Sequence, residues 1–323
     1  MEEQGTREIL TFGRYLKAKF GRRVVKIPIA LPGFTCPNID GTKARGGCVY
    51  CDNDSFSPNA RETRSKFTLS LESTENPLIE LQLAEVRRQI AQGRERLGRK
   101  FKSDLFLAYF QAFTNTYAPL STLIPLYEEA LSQDGVVGLS IGTRTDCVSS
   151  ELLDWLARKS YEKEIWIEYG VQSLFDETLA RINRAQRAKE IKEGIAATVS
   201  LGLNVCAHLI YGLPGESEEM MLSTLKQTLA LGVKSLKIHP LYAVKNTALA
   251  NELRMGSFTP LSERRYLKLL QKSFELIPPD ISIQRLTAGI GDETLLAPSW
   301  CDDKRRQMKR IRAALRSQGI RLY

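Results

Sequence analysis

The 323-residue chain is 43% hydrophobic, 26% charged and 8% aromatic, the balance of a protein with a packed core, and is long enough for two small domains or one large α/β barrel. No apolar run reaches the roughly 18–20 residues that cross a bilayer, and the opening MEEQGTREIL lacks the basic end and apolar stretch of a secretory signal, so a cytoplasmic location without membrane contact is expected. The 46 basic and 37 acidic side chains leave a formal charge of +9, and six cysteines in a reducing compartment read as metal ligands, reactive groups or small core residues before disulfides.

Residues 6–20 read as a helix, and RVVKIPIA (23–30), rich in β-branched residues, as a first strand leading into the cysteine-bearing loop FTCPNIDGTKARGGCVYCDN (34–53). Helical spacing over 77–102, 120–132, 149–159, 186–201 and 216–231 then alternates with strand-like runs at 104–110, 135–142, 164–171, 203–212 and 233–241. Ser149 or Ser150 and Glu216 or Ser217 are expected helix starts, and Gly202 and Gly232 expected stops. Each strand is short, largely apolar and bounded by Gly, Asp or Pro, as strands buried on both faces should be. Six such β-α units predict parallel strands with right-handed crossovers, in an α/β fold of the partial (β/α)6 TIM-barrel type. ISIQRLTAG (281–289) is expected as an extra edge strand, followed by a basic terminal helix. The expected division is a barrel core over 1–245, including the first helix and the cysteine loop, and a C-terminal extension over 246–323 packed on it.

Basic residues are concentrated at 87–102, 181–192 and 304–321, with seven, five and eight Lys/Arg against one, one and no acidic residues. Any single run reads as a solvated helix face. Three together point to a polyanion, with nucleic acid favoured, because cations that neutralise phosphates release counterions.

The loop carries Cys36, Cys48 and Cys51, with eleven residues between the first two and two between the last two. Structural zinc wants four ligands in two close pairs, and only one pair is present; a three-thiolate zinc site completed by water stays open. His208 and His239 lie inside strand patterns and read as core residues with satisfied hydrogen bonds, and Cys206 as a small buried hydrophobe. An iron–sulfur cubane accounts for the odd count differently, since three thiolates leave one iron open to a substrate or cofactor. The DG (40–41) and GG (46–47) pairs give the loop the turns that wrapping a cluster needs, and Tyr50 sets an aromatic face before the last thiol.

Three clustered cysteines with an aromatic before the third resemble the radical S-adenosylmethionine (SAM) superfamily, and the long first gap is similar to the branch containing the elongator catalytic subunit. The segments FGRYLKAKFGRRVVKIPIALPGFTCPNIDGTKARGGCVYC, YFQAFTNTYAPL, EYGVQS, LIYGLPGE, KIHPLYAVKNTALA and LLAPSW resemble the YtqA/YhcC-type family over nearly the whole chain. The resemblance implies that Cys36, Cys48 and Cys51 bind a [4Fe-4S] cluster with SAM on the fourth iron. Reductive cleavage would then give methionine and a 5′-deoxyadenosyl radical that takes hydrogen from a substrate. In such a cofactor enzyme the protein supplies orientation and exclusion of water.

Cofactor contacts are expected at strand ends. Gln111, Thr114 and Asn115 are candidates for the methionine end of SAM, with turn formation by TNT as the competing reading. Thr143 and Arg144 follow the third strand. Glu168 and Gln172 flank the fourth, where a carboxylate among apolar residues must pair or point into the lumen. Arg184 is a candidate for the cofactor carboxylate through its planar fork. Gly212 and Gly215 let backbone approach the adenine, or simply make a strand-to-helix turn. The sequence departs from the family pattern at Gln186 (in place of His), at Thr145 (in place of Pro) and in LTAGIGDE, which puts the substrate rather than the radical chemistry in doubt.

These readings favour a tRNA-modifying radical enzyme acting on a wobble-uridine side chain, with Phe110, Phe113 or Tyr117 available to stack on a base or to pack the core. The alternatives are a radical enzyme for a metabolite or protein side chain and a non-catalytic metal-binding scaffold. An acidic electron donor such as flavodoxin or ferredoxin is the expected partner for reduction. Acetyl transfer is not expected from a chain of this length.

Overall fold

The apolar runs form one parallel sheet. A computed structural model describes residues 7–52, 59 and 65–322. Its strands are β1 (Arg7–Ile9), β2 (Val24–Ile29), β3 (Leu105–Phe110), β4 (Val136–Thr143), β5 (Glu164–Gln172), β6 (Asn204–Tyr211), β7 (Ser235–Pro240), β8 (Ala243–Val244), β9 (Ser282–Arg285), β10 (Leu295–Ala297) and β11 (Ile320–Leu322). Seven of them pair in the order β2-β3-β4-β5-β6-β7-β9, all parallel. The six expected units are present, and the expected edge strand joins β7 as the seventh.

Helices Ile79–Phe101, Leu120–Ser132, Ser150–Lys159, Ala188–Ser200 and Glu218–Ala230 carry the chain back between these strands. Ser149 caps one, its side chain accepting from the Leu152 amide, and Ser217 caps another through the Met220 amide. Gly202 and Gly232, at φ of 75° and 83°, take the left-handed turns that end the helices.

The sheet curls until its ends meet through a side chain. Lys26 Nζ on β2 donates to Gln284 Oε1 on β9 at 2.6 Å. The helix Phe12–Phe20 closes the lower end, burying Phe12 and Leu16 against Val24, Leu107, Trp166 and Cys206. Phe12 meets Trp166 edge-on at 5.0 Å, and Tyr15, Lys19 and Trp166 all donate to the buried carboxylate of Glu164. With that end plugged, the open face is the one at the C-terminal strand ends.

The expected helix over 6–20 is corrected at its start, where Arg7–Ile9 is a strand. The Arg7 amide donates to Gly319 O at 2.8 Å, and β1 runs parallel to β11, a partner more than 300 residues away. The short antiparallel pair β8–β10 was also not expected; it lies beyond the last repeated unit.

Gly138 on β4 lies so close to β5 that a Cβ there would stand 1.9 Å from Glu164 O. Gly138→Ala is expected to push the two strands apart and lower the unfolding free energy by about 3 kcal/mol. A lower urea midpoint would record this, and an unchanged midpoint would refute the close approach.

Candidate active site

The cysteine loop leaves β2 and is held by polar contacts reaching into its interior. Asn38, fully buried, donates through Nδ2 to Asn183 O at 2.7 Å and Arg184 O at 2.8 Å, and lies 3.7 Å from Cys48 Sγ. Its Oδ1 accepts from Arg144 Nη1 at 3.0 Å. Asn183 in turn donates to Arg45 O and Gly47 O, and the Cys51 amide donates to Cys48 O. Arg144 grips Asp146 with two 2.8 Å bonds and donates also to Arg184 O and Ala185 O. Burial opposes the charge on Asp146, but the bonds from Arg144 and Lys43 outweigh it and hold the carboxyl well below the usual range. Arg144, read as a cofactor contact, thus directs its fork into the loop scaffold, although it borders the cavity.

One cavity of about 280 Å³ opens at the strand ends. Cys36, Cys48, Cys51, Tyr50, Gln111, Thr114, Asn115, Arg144, Glu168, Gln172 and Arg184 all line it. Ala112 and Phe113 adopt positive φ, 72° and 59°, and this left-handed step shapes the rim after β3. Asn115 braces that step, donating to Ala112 O and Gly142 O at 2.9 Å, while Thr114 is tied by its amide to Thr35 O. Gln172, at φ 66°, follows a bulge in β5, and Arg184 Nη2 donates to Gly170 O at 2.5 Å. Arg184 Nε is buried with no hydrogen-bond partner among the described residues. Gly212 is not among the cavity-lining residues. Its amide meets Met221 Sδ, and a Cβ there would strike Leu261, so the close approach it permits is to a side chain of the fold.

The departures from family pattern prove to be neighbours. Gln186 Nε2 donates to Thr145 Oγ1 at 2.5 Å, and neither residue lines the cavity, whereas Ala288 and Gly289 of LTAGIGDE do. Two of the three differences therefore concern packing beside the loop scaffold.

Below the cavity, Glu168 is completely buried and accepts from Lys26, Lys237, Ser140 and His208. Lys237 also donates to Tyr109 Oη at 2.9 Å. The carboxylate both pairs and points into the lumen. Burial disfavours its charge, yet Lys237 and Lys26 together hold Glu168 well below the ordinary carboxylate range. Burial lowers Lys26 to about 8, and burial with the Lys237 charge lowers His208 to about 4. His208 is thus a satisfied interior residue, as expected. Ligand atoms of Glu168, Cys206 and His208 lie within 4.8 Å of one another, but a cation there would face two ammonium groups bound to the same carboxylate. Sequence reading passed over Lys26 and Lys237; the available signal was a lysine at the centre of each of two apolar strands.

The basic runs separate on inspection of their partners. In the first, Arg87, Arg88, Arg94 and Arg99 pair with Glu129, Glu85, Asp134 and Glu95. In the second, Arg181 pairs with Glu252 and Lys189 with Glu193. On the helix Lys304–Arg316, Arg305, Lys309, Arg312 and Arg316 are exposed along one face with no acidic partner among the described residues, while Arg306 and Arg310 pair with Asp302 and Glu263.

The three thiols suit a metal centre by their chemistry. Burial, reinforced by Cys48 and Cys36, pushes the Cys51 thiol far above its usual range, a cost that a cationic centre binding thiolates would reverse. The radical SAM superfamily profile matches residues 39–228, and the profile of the radical SAM C-terminal domain matches residues 233–317. Protein YhcC of Escherichia coli K12 is 34% identical over 310 residues, covering 96% of this chain and 93% of that protein. YtqA of Bacillus subtilis is 33% identical over 309 residues, covering 96% and 90%. The chain belongs to the radical SAM superfamily and, within it, to the family of YhcC and YtqA. It is accordingly an enzyme whose cofactors are a [4Fe-4S] cluster and SAM.

At lower identity, 26% over 264 residues, the chain resembles the tRNA uridine(34) acetyltransferase of Dehalococcoides mccartyi, covering 76% of this chain and 56% of that one. The Methanocaldococcus infernus Elp3 structure shares the fold, with a TM-score of 0.61 at 16% identity over 92% of this chain and 65% of that one.

Removing the Glu168 carboxylate would leave two buried ammonium groups facing each other, so Glu168→Ala is expected to cost about 3–5 kcal/mol. The folded His208 titrates at about 4, below its ordinary 6.5, so the unfolded chain takes up this proton first and stability should fall as pH drops through that interval. Depressed Glu168 adds a loss of the same sign below 4.5. Urea unfolding across this range should show the decline, reduced in His208→Gln; equal pH slopes in the two proteins would count against a neutral buried imidazole.

Proposed function

We propose that Cys36, Cys48 and Cys51 hold the cluster and that SAM lies between them and Arg184, with a tRNA nucleoside as the substrate. The observation that carries the cofactor assignment is that three thiols and a buried arginine, its Nε without a partner among the described residues, share one cavity at the ends of parallel strands. When bound, cluster and SAM supply one-electron cleavage of a sulfonium C–S bond. The chain's own residues bind and orient. Gly170 O takes one guanidinium hydrogen of Arg184 and leaves the Nε edge for a carboxylate, while Gln111, Thr114, Asn115 and Gln172 offer polar contacts around the rim. Asn38 and Arg144 act as positioning residues for the cysteine loop. Tyr109 and neutral His208 form a floor that helps to keep water from the reacting atoms.

The tRNA assignment draws support from two facts. The exposed face of Arg305, Lys309, Arg312 and Arg316 begins one residue after Lys304, which lines the cavity, so cations extend from the mouth along an outer surface. Such a stripe suits a phosphate backbone leading to a splayed base. A relative of this chain also bears the name of an enzyme acting on uridine 34 of tRNA.

Anaerobic protein reconstituted with iron and sulfide, then given dithionite and SAM, should release 5′-deoxyadenosine, and bulk tRNA should increase the yield in a salt-sensitive manner. Cys48→Ala is expected to lose both bound iron and product. Lys309→Gln/Arg312→Gln should raise the tRNA concentration needed for half-maximal stimulation. Release indifferent to tRNA would redirect the substrate search to metabolites and proteins, and full iron loading in Cys48→Ala would remove that ligand.

A further inference from the structure

The cavity is chemically two-sided. The thiol loop leaves β2 but is pinned by Asn38 to Asn183 O and Arg184 O after β5, whereas β7, β9 (three places from β5 in the strand order) and the terminal helix contribute His239, Arg285 and Lys304. A bulge between β7 and β9 pairs Leu236 with Ile283 but Lys237 with Arg285, inserting Gln284 as an extra residue. Bulges re-aim side chains, and here Gln284 reaches Lys26 inside the lumen while the following Arg285 still borders the cavity. Neither Arg285 nor Lys304 pairs with a carboxylate among the described residues; Glu168, a buried acid lining the same cavity, is already held by Lys26 and Lys237.

We infer that His239, Arg285 and Lys304 form a receptor for an oxyanion of the substrate, a phosphate or a carboxylate, at the end of the cavity away from the thiol loop. This deepens the reading given under Proposed function and rests on it, since it takes the cavity to be the substrate's chamber. Several cations around a single carboxylate leave positive charge that no group among the described residues balances, in a concave space that strengthens its field. Arg285 offers a planar fork suited to two oxygens, Lys304 a point charge, and His239 a ring donor. The crowding is felt by the residues themselves. Burial and then Arg285 lower both Lys304 and His239 from their ordinary ranges, so an anion between them would relieve the repulsion.

Titration calorimetry of the full chain, free of cluster, with inorganic phosphate and separately with malonate tests this without recourse to radical chemistry. We expect one of the two to bind, with affinity about tenfold weaker in Arg285→Gln and in Lys304→Gln. Lys100→Gln, on a distant helix, should bind as the parent does, and thermal melts should show all three variants folded. Preference for phosphate would identify a nucleotide phosphate as the anion, and preference for malonate a substrate carboxylate. Binding of neither anion, or losses no larger than in Lys100→Gln, would overturn the receptor. Failure of the cofactor reading would appear elsewhere, as absence of deoxyadenosine from the parent enzyme.

Discussion

Glu168 is the fixed point of the barrel. From β5 its carboxylate meets Lys26 on β2, Ser140 on β4, His208 on β6 and Lys237 on β7, and Lys26 extends the connection to Gln284 on β9. A parallel sheet has no intrinsic reason to stop curling at a given radius. A single carboxylate that must satisfy several donors from separate strands supplies one, because it sets the distance between strands that share no backbone hydrogen bonds. Charge burial is expensive, and two ammonium groups on one carboxylate leave the network cationic even when every bond is made. An apolar lumen would be the simpler solution for stability alone. Placing the network directly under the cavity links the curvature of the sheet to the field that a bound molecule would feel.

The loop with the thiols depends on a second polar core. Asn38 is saturated by carbonyls from the segment after β5, and Arg144 joins Asn38 to Asp146 and to two further carbonyls of that segment. A glycine-rich loop of this length has much conformational freedom to lose. The segment around Asn183 and Arg184 sets one wall of the cavity and also fixes the loop opposite it, so cysteine positions and arginine position are determined together. Gln186 and Thr145, bonded to each other at the back of this core, can change as a pair without reaching the cavity.

Much of this was legible in sequence because local patterns agreed with the final structure. Buried parallel strands left continuous apolar runs, and Ser149, Ser217, Gly202 and Gly232 marked helix ends by their own chemistry. The illegible parts depend on distance in sequence. β1 is a strand only because β11 lies beside it, and nothing in its few residues distinguishes it from the start of a helix. The surroundings of Arg144 and Gly212 were equally hidden: residue type does not reveal that Asp146 and Asn38 engage the guanidinium or that Leu261 stands over the glycine. Charge runs were visible, but only their partners separate a solvated helix face from an unbalanced one.

The uneven charge of the cavity follows from the same construction. Acidic side chains on the loop side, such as Asp146, are neutralised by the cations that hold the loop, and the thiols become negative only when a metal centre takes their protons. On the side of β7 and β9, cations outnumber carboxylates around the cavity, because the bulge that inserts Gln284 sets Arg285 opposite Lys237. A molecule carrying an anion at one end and a reactive carbon at the other would therefore have one favourable orientation, anion toward β9 and carbon toward the thiol loop. Orientation fixed by charge at a distance from the reacting bond is what a site handling unselective radical chemistry requires, since the residues nearest that bond must remain unreactive.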